Sequence, residues 1–206
     1  MLIHIDIVIL LEYYCHILTC DEAIKMQPLN ISVTTVSTPR IYVRCLAAYN
    51  SGKLHGKWID ANQDVESIWD EIKDVLHTSP EHMKPYPCEE WAIHDYEYLP
   101  DLGEYPSIEK VADVAKFIAE HGDLGEAVIE HFCGSIDDAK VAMENYHGTF
   151  NNDEDFAMYW VLEVECREIP DYLSHYIDYA SMGHDMLIND FYSIESGNKI
   201  HVFLHH

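Results

Sequence analysis

RIYVRCLAAYNSGKLHGKWIDANQDVESIWDEIKDVLH, residues 40–77, contains the change of period that decides the fold. Its opening, Arg40–Tyr49, is rich in strand formers, and Asn50-Ser51-Gly52 is a turn signal before Leu54–Ile59. That order predicts a hairpin. From Asp64 the period lengthens. Val65, Ile68, Trp69, Ile72, Val75 and Leu76 then share one face at helical spacing, so Asp64–His77 is predicted helical and stopped by Ser79-Pro80.

Further along, Glu90–Glu97 (EWAIHDYE) alternates enough for a third strand. Ser107 after Pro106 is an N-cap signal, and Ile108, Val111, Ala115, Ile118 and Ala119 form an apolar stripe ending at Gly122. A short helix fits Glu126–Cys133, and Ser135 with Asp138 resembles a capping box opening another helix that runs to about Tyr146. Asp153–Arg167 and Asp171–Ala180 read as helices on either side of Pro170. Phe191–Glu195 and Lys199–Leu204, joined by Ser196-Gly197-Asn198, read as a closing hairpin. The fold class expected is α+β: a mixed segment, a helical one and a second mixed segment.

The chain of 206 residues is 48% hydrophobic, enough to bury a real core. Its charge is far from balance: 37 Asp and Glu stand against 12 Lys and Arg, a formal net of −25. Disorder explains such acidity poorly here, because aromatics make up 12% of the chain, with 14 Tyr and 4 Trp. The imbalance is also uneven. Residues 1–58 carry a net of +1, whereas residues 59–206 hold 33 acids against seven bases, a net of −26. Those acids are interleaved with apolar residues at structural spacing, unlike the block of an acidic tail.

Cys15, Cys20, Cys45, Cys88, Cys133 and Cys166 form no CxxC pair and are expected to be free thiols of a reducing cytoplasm. The apolar stretch Met1–Leu18 is interrupted by Asp6 and Glu12, lacks a basic flank and is too short for a membrane span. It is expected to be an added strand or helix, or the product of an upstream start. The expected location is soluble and cytoplasmic.

Signatures of catalysis are missing: there is no P-loop, GxGxxG, GxSxG or HExxH. Asn151-Asn152-Asp153-Glu154-Asp155 fails as a calcium loop, since Phe156 stands where Gly is needed and Leu162 where the bidentate Glu belongs. Those acids fit better as first-turn residues of the next helix. No enzyme activity, metal or cofactor is expected.

The spacing of the acids is more informative. Glu66, Asp70 and Asp74 recur every four residues, as do Glu109 with Asp113 and Glu126 with Glu130. Like charges at this spacing destabilise a helix by roughly 0.2–0.5 kcal/mol per pair. One such pair is an ordinary solvated face; the same choice repeated along some 150 residues is not. At the charge density of a DNA duplex, one per about 1.7 Å, a net of −26 corresponds to roughly 44 Å of duplex. Proteins that grip phosphates with Lys and Arg should bind such a surface, and nucleic acid itself should not.

From Pro39 onward the chain resembles the ArdA antirestriction family of plasmids and transposons. The resemblance rests on PRIYVRCLAAYNSGKLHGKWIDA (Pro39–Ala61), EEWAIHDYE (Glu89–Glu97), EYPSI (Glu104–Ile108) and IPDYLSHYIDYASMGHDM (Ile169–Met186). Residues 1–38 have no counterpart in it. It implies an elongated molecule of three small domains, about 39–104, 105–146 and 147–206, dimerising through the last. It also implies mimicry of bent B-form DNA against the DNA-binding methyltransferase core of type I restriction-modification enzymes. The acids expected to stand in for phosphates are Asp64, Glu66, Asp70, Glu71, Asp74, Glu104, Glu109, Asp113, Glu120, Glu126, Glu130, Asp137, Asp138, Glu144, Asp153, Glu154 and Asp155. The segment Asp155–Arg167 falls where the family carries its antirestriction motif, and its apolar Met158, Tyr159, Trp160 and Leu162 suit a dimer interface. Two other readings compete: an acidic module that binds some other basic protein, and a metal-dependent hydrolase built on clustered carboxylates.

Overall fold

The computed structural model describes residues 38–205. The expectations for Met1–Leu18, Cys15 and Cys20 lie outside these residues.

The first sheet is antiparallel with strand order β2-β1-β3, made by β1 (Arg40–Cys45), β2 (Gly56–Asp60) and β3 (Trp91–Glu97). Ile41 pairs with Ile59 and Tyr42 with Trp58. Period-two alternation puts Ile41, Val43 and Cys45 in the core, and Arg40, Tyr42 and Arg44 on the other face. The hairpin is present, but its first strand is shorter than the predicted Arg40–Tyr49. After Cys45 the chain enters a short helix, α1 (Leu46–Asn50), whose Leu-Ala-Ala opening favours helix and buries Ala48. Gly52, at φ 72°, supplies the left-handed turn back toward β2.

Helix α2 (Val65–His77) opens at Asp64, whose carboxylate accepts from Ser67 N at 2.9 Å. It buries Ile68, Ile72, Val75 and Leu76 and packs on β1 and β2. The middle of the chain is helical: α3 (Ile108–His121), α4 (Asp123–His131) and α5 (Ile136–Glu144). Ser107 and Ser135 cap α3 and α5 through their side chains, as their positions predicted. Helix α4 starts at Asp123, ahead of the predicted Glu126. Gly122, at φ 61°, ends one helix and begins the next without an intervening loop.

The last third departs most from the sequence reading. A strand, β4 (Tyr146–Phe150), was not predicted; its Gly148 and polar neighbours mask the half-buried Tyr146 and Phe150. It pairs with β6 (Lys199–Leu204), the centre of a second antiparallel sheet ordered β4-β6-β5, with β5 at Phe191–Ser196. Helix α6 (Asp153–Tyr159) does not run regularly to Arg167. It widens into a π-helical turn, Trp160–Val164, closed by Glu165 N donating to Trp160 O at 2.8 Å. The wide turn keeps Val161 buried and Trp160 half-buried while Leu162, Glu163 and Val164 are exposed. The predicted helix Asp171–Ala180 is also corrected. The helix there, α7 (Asp171–Ser174), stops after one turn, and Asp178 caps a new helix, α8 (Tyr179–Asn189), by accepting from Ser181 N and Ser181 Oγ.

Neighbouring residues of β6 serve two cores. Phe203 joins a cluster that runs from Ile41 through α2 and the middle helices to Ala142, whereas Val202 joins Phe156 and Phe191. The second sheet is therefore apolar on both faces. Helices α6 and α8 are packed tightly enough that a Cβ built at Gly183 would overlap the Asp153 carbonyl. No helix of the described residues is long and apolar enough to cross a membrane.

Candidate functional site

None of the acidic residues among the described residues is buried. Of the expected phosphate mimics, Glu71, Glu126, Asp153 and Asp155 are half-buried and the rest exposed. The helices explain this placement. On α2, Glu66, Asp70 and Asp74 lie opposite the buried Ile68, Ile72 and Val75; on α3, Glu109 and Asp113 lie opposite Val111, Val114 and Ile118. Many of the acids also occupy first turns: Glu66, Glu109, Glu126, Asp137 and Asp138, and Asp153, Glu154 and Asp155. There the helix dipole favours negative charge and offsets part of their mutual repulsion. Asn152, the N-cap of α6, accepts from Asp155 N, so the run Asn151–Asp155 opens a helix.

The acids are not equivalent. Asp64 is tied up as the α2 cap, and the Ser67 hydroxyl and amide hold its carboxyl below the ordinary range. Glu71 sits 3.0 Å from Lys57 Nζ and accepts from Gln63 at 2.8 Å. Burial works against its charge, but these two hydrogen bonds outweigh burial and keep its pKa low. Asp70 pairs with Lys73 at 2.7 Å, and Asp153 lies 3.8 Å from His184. By contrast, no lysine or arginine of the described residues pairs with Glu66, Glu109, Asp113, Glu126 or Glu130. These carboxylates are available to an external cation.

Glu126 shows the cost of crowding. Its pKa is raised, first by burial, then by Glu130 one turn on and by Asp123. An acid with a raised folded pKa binds its proton more tightly in the folded than in the unfolded state. The stabilising effect of that proton is present at low pH and lost as pH rises through the raised pKa. Glu126→Gln is therefore expected to stabilise the protein at pH 7 by roughly 0.5 kcal/mol, a rise of about 1–2 °C in Tm, with the gain shrinking in acid. Thermal melts of both proteins at pH 7 and pH 4 measure it; a lower Tm for the variant at pH 7 would contradict the crowding.

The apolar candidates divide. Met158, Tyr159 and Leu162 are exposed at 39%, 41% and 38%. Trp160 is half-buried, its ring 4.8 Å from Phe191 and 5.5 Å from His147, so it supports the smaller core as well as any contact beyond it. Exposed acids outside the expected set include Glu89, Glu90, Asp95, Asp101, Glu163 and Glu168. They lie in loops, strands and the π turn, where no helical period marks them. No group of three or more His, Cys, Asp or Glu among the described residues is arranged to hold a metal ion. Cys45 and Cys88 are buried free thiols, and Cys133 is an exposed one.

The model of the antirestriction protein family ArdA matches residues 41–199. The chain belongs to the ArdA antirestriction family. The match takes in every helix described above, β2 to β5 and all of β1 but Arg40, whereas of β6 it reaches only Lys199. No curated protein matches the chain. ArdA membership assigns antirestriction as the activity and restriction enzymes as the partners, and it directs attention to the exposed carboxylates.

Proposed function

We propose that the chain mimics B-form DNA and inhibits type I restriction-modification enzymes by occupying the DNA-binding channel of their methyltransferase core. The observation that carries this is the set of exposed carboxylates without a basic partner on successive helices, typified by Glu66, Glu109, Asp113 and Glu130. Acids four apart on a helix are spaced about 6 Å along its axis, within reach of Lys and Arg side chains that otherwise grip successive phosphates. Inhibition by occupancy needs no catalysis and no cofactor, and a protein of this charge repels nucleic acid. The three expected segments, 39–104, 105–146 and 147–206, stand as proposed small domains. In their favour, β1–β3 fall in the first, α3–α5 in the second, and the second sheet with α6 and α8 essentially in the third. A homodimer through the third is supported by the exposed Met158, Tyr159 and Leu162 and by the family's habit; a cytoplasmic site of action follows from the enzymes it meets.

Phosphate contacts position a DNA-binding protein, while base contacts specify the sequence. A mimic that offers carboxylates and no base edges should therefore inhibit type I enzymes with unrelated targets to comparable extents. Cleavage assays with two such enzymes measure this, and inhibition confined to one of them would contradict the mimicry. Salt gives a second test. Screening shortens to about 3 Å at 1 M salt, so Tm should rise with NaCl while affinity for the enzyme falls. A Tm that drops steadily over the same range would mean that carboxylate repulsion is not a significant strain on the fold.

A further inference from the structure

The outer face of the first sheet has a different chemistry from the rest of the surface. Arg40, Tyr42 and Arg44 project from β1 on the side away from the core. Tyr42 lies 5.3 Å from Trp58 across the β1–β2 pair, and the Arg40 guanidinium stands 5.6 Å over the Trp58 ring. The Arg44 guanidinium stands 4.7 Å over Tyr49, which in turn meets His94 edge-on at 4.9 Å. Gly56 lets β2 lie close against β1 and this arrangement: a Cβ there would come within 2.6 Å of the Val43 carbonyl oxygen, 2.9 Å of Arg44 Cγ and 3.0 Å of the Tyr42 ring. The result is a ladder of alternating cations and rings held in place by β2. Tyr49 is 49% and Trp58 37% exposed.

The charges of this region are also differently arranged. Arg40 pairs with Glu97, Lys53 with Glu81, and Lys57 with Glu71. Arg44 has no acidic partner among the described residues, and its Nε is buried without a hydrogen bond. A channel that grips phosphates has no use for an arginine and two aromatic rings, and would repel the arginine. Trp, Tyr and Arg are the residue types that dominate binding energy in protein–protein contacts, and an arginine left without an acid is complementary to a carboxylate or carbonyl.

We propose that this face, centred on Trp58, Tyr49 and Arg44, is a second contact with the restriction enzyme, made outside its DNA channel to an apolar surface carrying acceptor groups. The inference rests on the proposed function. It adds a component of affinity that DNA lacks and whose apolar part salt does not screen, which lets the inhibitor displace DNA when the carboxylates alone only match the phosphates.

The test uses the full chain and the purified methyltransferase core of a type I enzyme, with Kd measured from 50 to 500 mM NaCl. Trp58→Ala should weaken binding by roughly thirty-fold at every salt concentration, as truncation of a buried interface aromatic does. The slope of log Kd against log salt should be unchanged, because no charge is lost. Tyr49→Ala removes a half-exposed ring outside the strands and should show the same pattern in smaller measure, with Tm as the check on folding. Unchanged affinity in both variants would overturn the proposal while leaving the mimicry in place. Binding of a labelled single-stranded oligonucleotide by the wild type, lost in Trp58→Ala, would also overturn it, since the face would then be a nucleic-acid platform. A wild-type chain that does not bind the core at all would overturn the proposed function and this contact with it.

Discussion

Converting Glu66, Asp70, Asp74, Glu109, Asp113, Glu126 and Glu130 to their amides in one chain is expected to weaken inhibition by two or more orders of magnitude, while single conversions cost little. On a surface that acts as a whole, each of these residues would be one of many similar contacts and none would be indispensable. A protein that neutralises six to ten phosphates loses about 10³–10⁵ in affinity between 50 and 200 mM salt. Removing seven carboxylates from the other side of such a contact should remove a comparable share, and the salt dependence should flatten with it. Among single variants, Asp70→Asn should matter least, since Asp70 already pairs with Lys73. The fold should survive: the seven are exposed or half-buried, and their loss relieves repulsion along α2, α3 and α4. The measurement is Kd against the methyltransferase core for each single variant and for the seven-fold one. A single amide variant that abolishes binding with its Tm intact would point to a discrete site.

Gly183→Ala should be the most disruptive small substitution in the last third of the chain. Gly183 is buried at the contact of α6 and α8, where a Cβ would overlap the Asp153 carbonyl and approach Asp153 Cβ to 3.1 Å. The obstacle is the backbone at the start of α6, so relief requires the two helices to separate. Overpacking of this kind costs about 1–3 kcal/mol and sometimes more, which is roughly 3–10 °C of Tm for a chain of this size. Separation of α6 from α8 would also displace Met158, Tyr159 and Leu162, so any dimer made through them should weaken alongside. Thermal melting and sedimentation of the variant measure both effects. An unchanged Tm would show that the helices are not in the close contact described.

Residues 40–146 were largely legible because their signals are local and agree with one another. The apolar stripes of α2 and α3 have clear periods, Asp64, Ser107 and Ser135 cap where they stand, and Gly122 and Gly197 adopt the left-handed backbone their positions suggested. Residues 146–190 were less legible because tertiary packing decides them. β4 exists through its pairing with β6, from a strand 50 residues further on, and its Gly148 carries no strand signal. The break in α6 and the restart at Asp178 depend on side-chain and π-turn hydrogen bonds that apolar periodicity does not register. The candidate surface was readable as helical acid spacing, but not which acids are already engaged. That depended on where β2 brings Lys57, namely beside Glu71 and Asp74. The opposite surprise is the first sheet's outer face, whose Arg and aromatic residues looked like ordinary strand formers until β2 was laid beside β1.

If exposed carboxylates stand in for phosphates, the protein and DNA must compete for one channel. A labelled duplex bearing the enzyme's target is bound to the methyltransferase core and titrated with the full chain at 50, 100 and 200 mM NaCl. Mimicry predicts complete displacement at saturation, with the apparent affinity of the chain falling linearly in log–log form as salt rises. A ternary complex in which duplex and protein remain bound together, at any salt concentration, would contradict occupation of the DNA channel.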